Sequence, residues 1–235
     1  MTHLHAQKEG ARGGTTGSPS LTRWATFDCY GTLIDWNGGI RAELTRLWPD
    51  EDADELLRRY HELEPEVEHA APGLSYREVM RRVLTRLGDV PTGEDDALGR
   101  SLPGWSTFPE VRKALERARG RGWRLAILSN TDSDFIEASK VTIGVPFDET
   151  VVASEIGSYK PAPKHWEEFY ARTGADPAHH VHVAQSMFHD IVTANALGLS
   201  SVWINRRGER YDTAPTRELS DLTGLPEVLD ELVAP

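Results

Sequence analysis

A single cysteine, Cys29, stands in 235 residues, so the chain has neither an intramolecular disulfide framework nor the thiolates of a multi-cysteine metal site. That usage fits a reducing compartment, and the cytoplasm is the expected location. Long apolar runs are missing too. No stretch of about eighteen apolar residues occurs, and the N-terminal MTHLHAQKEGARGGTTGSPS lacks the apolar centre of a signal peptide. Neither secretion nor a membrane partner is expected. Basic residues are the minority, 26 Lys and Arg against 37 Asp and Glu, for a formal net charge of −11. With no long basic block, nucleic acid is not an expected partner. No internal repeat at a fixed period is apparent, which sets solenoids aside. What the chain does have is core material: 39% hydrophobic residues, with 7 Trp, 6 Tyr and 6 Phe, a globular mixture too rich for a disordered chain. The length allows one domain with a smaller insertion.

Residues 1–20 carry Gly, Ser, Thr and charge with almost no bulky apolar side chain, and read as a disordered tail. Trp24-Ala-Thr-Phe-Asp28 reads as a strand that delivers a carboxylate to its C-terminal end, with a turn at Gly31. Beyond it, apolar residues recur at helical spacing: Ile40, Leu44, Leu47; Leu56, Leu57, Tyr60, Leu63, Val67; Val79, Val83, Leu84, Leu87. The spacing predicts a helical unit over 37–107, inserted into a core of 21–36 and 108–235. After Pro109 helix and strand alternate: helices over Val111–Arg119, Ser133–Lys140, Lys164–Thr173 and Asp190–Leu197, and strands at Trp123–Leu128, Thr150–Ala153, Val181–Ala184 and Ser201–Ile204. Such units imply an α/β fold with a Rossmann-like parallel sheet covered on both faces.

In an open parallel sheet, ligands bind beyond the carboxyl ends of the strands. Asp28, Ser129-Asn130, Lys160, Gln185-Ser186 and Asp190 all fall there. A carboxylate nucleophile, a hydroxyl and an amide to orient an anion, and a lysine that keeps the carboxylate ionised are the parts of covalent catalysis. Each also has a plainer role: Asp28 as a turn former, Ser129-Asn130 as a cap for the next helix, Asp190 as a helix N-terminal carboxylate. His180 and His182 share one strand face without a third ligand at useful spacing, so no metal site is assigned to them.

Phe27-Asp-Cys-Tyr-Gly-Thr-Leu33, Leu128-Ser-Asn130, Lys160-Pro161 and Val183-Ala-Gln-Ser-Met-Phe-His-Asp190 stand in the order of the four motifs of the haloacid dehalogenase superfamily, which the chain resembles over 24–206. The helical insertion lies where that family carries its cap domain. Phosphatases of the superfamily generally place a second Asp two residues after the nucleophile and a Gly-Asp pair in the fourth motif. Here Tyr30 and Ala184-Gln185 stand instead, and the pattern resembles the (S)-2-haloacid dehalogenase branch. A halide leaving group needs no proton, and an uncharged carbon needs no Mg²⁺ clamp.

The resemblance implies a metal-independent hydrolase with no cofactor, acting on a small carboxylate. Asp28 would attack C2 of a 2-haloalkanoate, and water would cleave the aspartyl ester to a 2-hydroxy acid. Lys160 would keep Asp28 ionised, Asp190 would orient Lys160, and Ser129 with the backbone N–H groups after Asp28, at Cys29 and Tyr30, would receive the substrate carboxylate. The family's halide cradle implies Asn130 and a cap arginine, for which Arg59 is the candidate and Arg58 its rival. Gln185, Ser186 and His189 join the expected pocket, as does Trp166, where relatives tend to carry Tyr. Family habit leaves a homodimer open. The alternatives are a Mg²⁺-dependent phosphomonoesterase that tolerates Tyr30 and Gln185, and a non-catalytic member that binds a carboxylate or a partner protein.

Overall fold

The strand that delivers Asp28 forms over Arg23–Phe27 (β1) with every residue buried. The structure is a computed structural model and describes residues 22–235; the tail expected over 1–20 lies outside the described residues. After β1 the chain turns at Gly31, whose φ of 90° is the left-handed region that favours glycine. It then runs through four helices: Trp36–Leu47 (α1), Ala53–Ala70 (α2), Tyr76–Leu87 (α3) and Ala97–Ser101 (α4). Three of their starts follow from capping side chains, since Asp35, Asp52 and Ser75 each accept a backbone N–H of the first turn. The chain leaves and rejoins the core at one place, where Ile34 bridges Thr107 and the Asp35 N–H donates to Ser106 O at 2.8 Å.

The alternating part supplies Val111–Gly120 (α5), Trp123–Ser129 (β2), Ser133–Ile143 (α6), Glu149–Val152 (β3), Ala153–Ile156 (α7), Lys164–Thr173 (α8), His180–Ala184 (β4), Val192–Ala196 (α9) and Ser200–Ile204 (β5). Two further elements follow, Arg217–Leu219 (β6) and Leu225–Leu232 (α10), the second with apolar residues at helical spacing, Leu225, Val228, Leu229 and Leu232. Strand β6 has one apolar residue in three, which leaves no alternation to read.

The sheet order is β3-β2-β1-β4-β5-β6, with every neighbouring pair parallel. Alternation along β1 sends Ala25 and Phe27 into a cluster with Val111, Leu115, Phe135 and Leu229, and Trp24 into a second with Trp166, Phe169 and Ala194. Both faces are thus covered, as the strand–helix alternation predicts.

The helix expected over Asp190–Leu197 needs correction. A wide π turn occupies Met187–Ile191, and α9 begins only at Val192. Its start signal is Ser186, whose Oγ accepts the His189 N–H at 3.1 Å, so coiling begins before Asp190. The turn carries His189 and Asp190 at the carboxyl edge of the sheet. Among the described residues no helix is long and apolar enough to cross a membrane.

Candidate active site

Strands β1, β2 and β4 end side by side, and this order brings Asp28, Ser129, Asn130, Gln185, Ser186, His189 and Asp190 into one pocket with Lys160. Its volume is about 230 Å³, and α1, α2 and α3 close it with Trp36, Asn37, His61, Glu64, Pro65, Glu68 and Tyr76.

Lys160 is the centre of the charged cluster. Its ammonium, 1% exposed, donates to Asp28 Oδ1 at 3.0 Å, Asp190 Oδ1 at 2.6 Å and Leu128 O at 2.7 Å, which uses all three N–H bonds. The lysine is set by Asn130, whose Oδ1 accepts the Lys160 backbone N–H at 2.6 Å and whose Nδ2 donates to Lys160 O at 3.0 Å. Burial pushes the Asp28 carboxyl up, Lys160 pulls it back, and the Asp190 charge adds to the upward push. Asp190 feels the same burial, but Lys160 and His182 hold it well below the ordinary carboxylate range. Asp28 Oδ2 accepts the Thr32 hydroxyl at 2.8 Å, and Thr32 Oγ1 in turn accepts the Gln185 N–H at 2.9 Å. A carboxylate fixed through both oxygens at the floor of a pocket is suited, in its ionised form, to attack an electrophilic atom presented from above.

Three buried atoms of pocket residues have no hydrogen-bond partner among the described residues, Ser129 Oγ, Asp190 Oδ2 and His189 Nε2, the first two on residues 1% exposed. Tyr30 lines the wall, but its hydroxyl pairs with Ser139 Oγ at 2.9 Å, and burial pushes the phenol further up from its ordinary value. It is no proton donor for a leaving group. His189 is pushed down to about 4 by burial, so it faces the pocket as a neutral ring.

Arg59, its rival Arg58 and Trp166 lie outside the pocket. Arg59 donates to Leu87 O at 2.9 Å, on the side of α2 that meets α3, and Arg58 pairs in solvent with Glu55 and Glu62. The pocket face of α2 is instead the row Glu64 and Glu68, one turn apart, in phase with buried Leu56 and Tyr60. Trp166 is packed edge-on against His182 at 5.1 Å in the core beneath the sheet. The Cys29 side chain is fully buried in the main core, where burial holds its thiol well above the ordinary value. The guanidinium that does line the pocket belongs to Arg207, in the loop after β5, paired with Glu209 at 2.5 Å.

His180 and His182 belong to a buried hydrogen-bonded chain. Asp190 Oδ1 accepts from His182 Nε2 at 3.0 Å, Thr26 Oγ1 lies 2.8 Å from His182 Nδ1 and 2.7 Å from His180 Nε2, and the Tyr170 hydroxyl lies 2.6 Å from His180 Nδ1. Burial and the neighbouring His182 push His180 down to about 3, so His180 is neutral. The chain braces Asp190 from behind.

At this pocket Mg²⁺ would compete with Lys160 and Thr32 for the carboxylate oxygens. That ion asks for a near-octahedral oxygen shell, yet Asp28 Oδ1 and Asp190 Oδ1 both face Lys160, Asp28 Oδ2 faces Thr32, and no three His, Cys, Asp or Glu among the described residues converge on one point.

Glu64 supplies a test of the cap face. Its Oε1 accepts the hydroxyls of Tyr76 at 2.7 Å and Tyr60 at 3.3 Å, while burial raises the carboxyl to about 7. Because the folded value is raised, its contribution to stability is complete below the ordinary carboxylate range and is lost as pH rises toward 7. Between about pH 5 and pH 8, wild type is expected to lose stability relative to Glu64→Gln by up to roughly 3 kcal/mol. Thermal or urea unfolding of both proteins across that range measures it, and parallel pH profiles would contradict it.

Residues 22–198 match the family model described as haloacid dehalogenase-like hydrolase. The (S)-2-haloacid dehalogenase 1 of Pseudomonas sp. (strain CBS-3) is 27% identical over 230 residues, which cover 88% of this chain and 96% of that protein. The haloacetate dehalogenase H-2 of Moraxella sp. (strain B) is 30% identical over 196 residues, 79% of this chain and 87% of that one. Among solved structures, the L-2-haloacid dehalogenase of Xanthobacter autotrophicus superposes with a TM-score of 0.77 at 20% identity, covering 89% of this chain and 98% of its own, a likeness of fold.

Proposed function

Since the chain belongs to the haloacid dehalogenase-like hydrolases, we propose that it hydrolyses the carbon–halogen bond of a small 2-haloacid through an ester of Asp28, without a metal. The observation that carries this reading is the pairing of a buried, lysine-held carboxylate with a Tyr30 side chain, two residues on, whose hydroxyl is spent on Ser139 and offers the leaving group no proton. Asp28 is held by Lys160 at 3.0 Å. An alkoxide leaving group would need a proton there, whereas halide departs without one. The relatives named as haloacid dehalogenases over most of their length support the same chemistry.

In the proposed reaction one oxygen of Asp28 attacks C2 from the side opposite the halogen, the C–O bond forms as the carbon–halogen bond breaks, and halide leaves with the bonding pair. Water then adds to the Asp28 carbonyl, the ester C–O bond to the aspartyl carbon breaks, and the proton given up by the water passes on to the departing alkoxide oxygen. The 2-hydroxy acid departs with inverted configuration, and Asp28 is regenerated. Asp190 Oδ2, buried in the pocket wall without a partner, is the acceptor for a proton of that water. Lys160 stabilises Asp28 between turnovers, Ser129 Oγ receives the substrate carboxylate, and Arg207 replaces Arg59 as the cationic group facing the anion.

Halide release from a panel of short 2-chloro and 2-bromo acids, run with Mg²⁺ and with EDTA, tests the reading. Equal halide release in both conditions is expected. Phosphate-ester hydrolysis that EDTA abolishes, with no halide released from any acid, would overturn it.

A further inference from the structure

The pocket is rich in carboxyl groups for a simple haloalkanoate site. Five carboxylates line it, Asp28, Glu64, Glu68, Asp190 and Glu209, against two cations, Lys160 and Arg207. Lys160 has no N–H left for a ligand, and Arg207, whose Glu209 pair leaves other N–H bonds free, is the cation that remains for one. The excess sits on α2, opposite the strand ends, as Glu64 and Glu68.

Glu64 is a built group, not an exposed acid turned inward. It is 7% exposed, its Oε1 takes both tyrosine hydroxyls, and Tyr76 is itself fixed by the Trp36 indole, whose Nε1 donates to the Tyr76 hydroxyl at 2.9 Å. That leaves Oε2 for the pocket. Glu68, 6% exposed, makes no hydrogen bond among the described residues; the nearest opposite partner is the neutral His189 ring at 3.6 Å. Across the same pocket, Ser129 Oγ is buried and has no hydrogen-bond partner among the described residues. Buried polar groups without partners cost free energy unless a ligand supplies one. An acceptor pair on the cap and a hydroxyl donor at the strand ends ask for a ligand with a cation at one end and an anion at the other.

We propose that Glu64 and Glu68 form a subsite for an ammonium group, so that the substrate is a zwitterionic 2-haloacid with an amino substituent near its reacting carbon. The proposal rests on the reading of the pocket as a 2-haloacid site. In the absence of ligand, burial holds both carboxyls above the ordinary range, and an arriving ammonium would let them ionise.

Binding and turnover separate the two ideas. Calorimetric titration of wild type with 3-aminopropionate and with propionate should show the amino acid bound at least about tenfold more tightly. The ratio should fall toward one in Glu64→Gln and in Glu68→Gln, each confirmed as folded by its thermal transition. Halide release from 3-amino-2-chloropropionate and from 2-chloropropionate should follow the same order. Equal binding of the two acids by wild type, binding of neither, or a preference that survives both substitutions overturns the subsite. An amino preference in binding without halide release from either chloroacid leaves the subsite standing and removes the dehalogenase reading. Halide release with no amino preference does the reverse.

Discussion

Asp28→Asn is expected to fold with nearly the wild-type thermal transition and to lose at least about a thousandfold in kcat. The amide keeps the shape of the carboxylate and one oxygen to accept from Lys160, so the packing around β1 has little to repair. It lacks the negative charge that makes Asp28 a nucleophile. Lys160 keeps Asp190 Oδ1 at 2.6 Å and Leu128 O at 2.7 Å and stays paired. Activity and unfolding measured on the same preparation check both halves, and residual turnover near the wild-type rate would remove Asp28 from the chemistry.

Lys160→Met has the second large effect, and here stability and activity fall together. The methionine nearly matches the lysine stem in volume but leaves Asp28 and Asp190 facing one another in a buried site. Removing one partner from a buried ion pair typically costs about 3–5 kcal/mol. The pH profile separates charge from packing. Burial and Asp190 push the Asp28 carboxyl up, and Lys160 is the largest opposing influence. Without it Asp28 protonates at higher pH, so the acid limb of kcat/KM moves upward from the wild-type limb. A profile that keeps its limb while only the melting temperature drops would mean that Lys160 merely packs.

The reacting centre was legible because parallel-sheet topology does the assembly. Once Trp24–Asp28, Trp123–Ser129 and Val181–Ala184 are strands of one sheet, their C-terminal residues meet without any knowledge of loop shape. The opposite wall needed a phase the spacing could not supply alone. Arg59 and Glu64 lie on the same helix, and which of them faces the strand ends depends on how α2 docks. The clue was present: Leu56, Tyr60, Glu64 and Glu68 repeat at four, which puts two carboxylates on the stripe that otherwise carries core residues.

The bracing of Asp190 joins Thr26, His180, His182 and Tyr170 from three elements, a pairing that no sequence interval encodes. Arg207 sits in an irregular loop, where position relative to the sheet follows from tertiary contacts. Trp166 illustrates the limit of aligning one position: helix α8 places its indole under the sheet against His182, away from the pocket.

The central claim is that the oxygen transferred to product comes from Asp28. A single turnover of a 2-haloacid in ¹⁸O-water, with enzyme in excess, tests it directly by mass spectrometry of the product and of the peptide that carries Asp28. The account predicts unlabelled hydroxyl in the 2-hydroxy acid and one ¹⁸O in the Asp28 carboxylate. Label in the product hydroxyl on the first turnover, with none in Asp28, would mean that water attacks the substrate carbon itself and would contradict the ester mechanism.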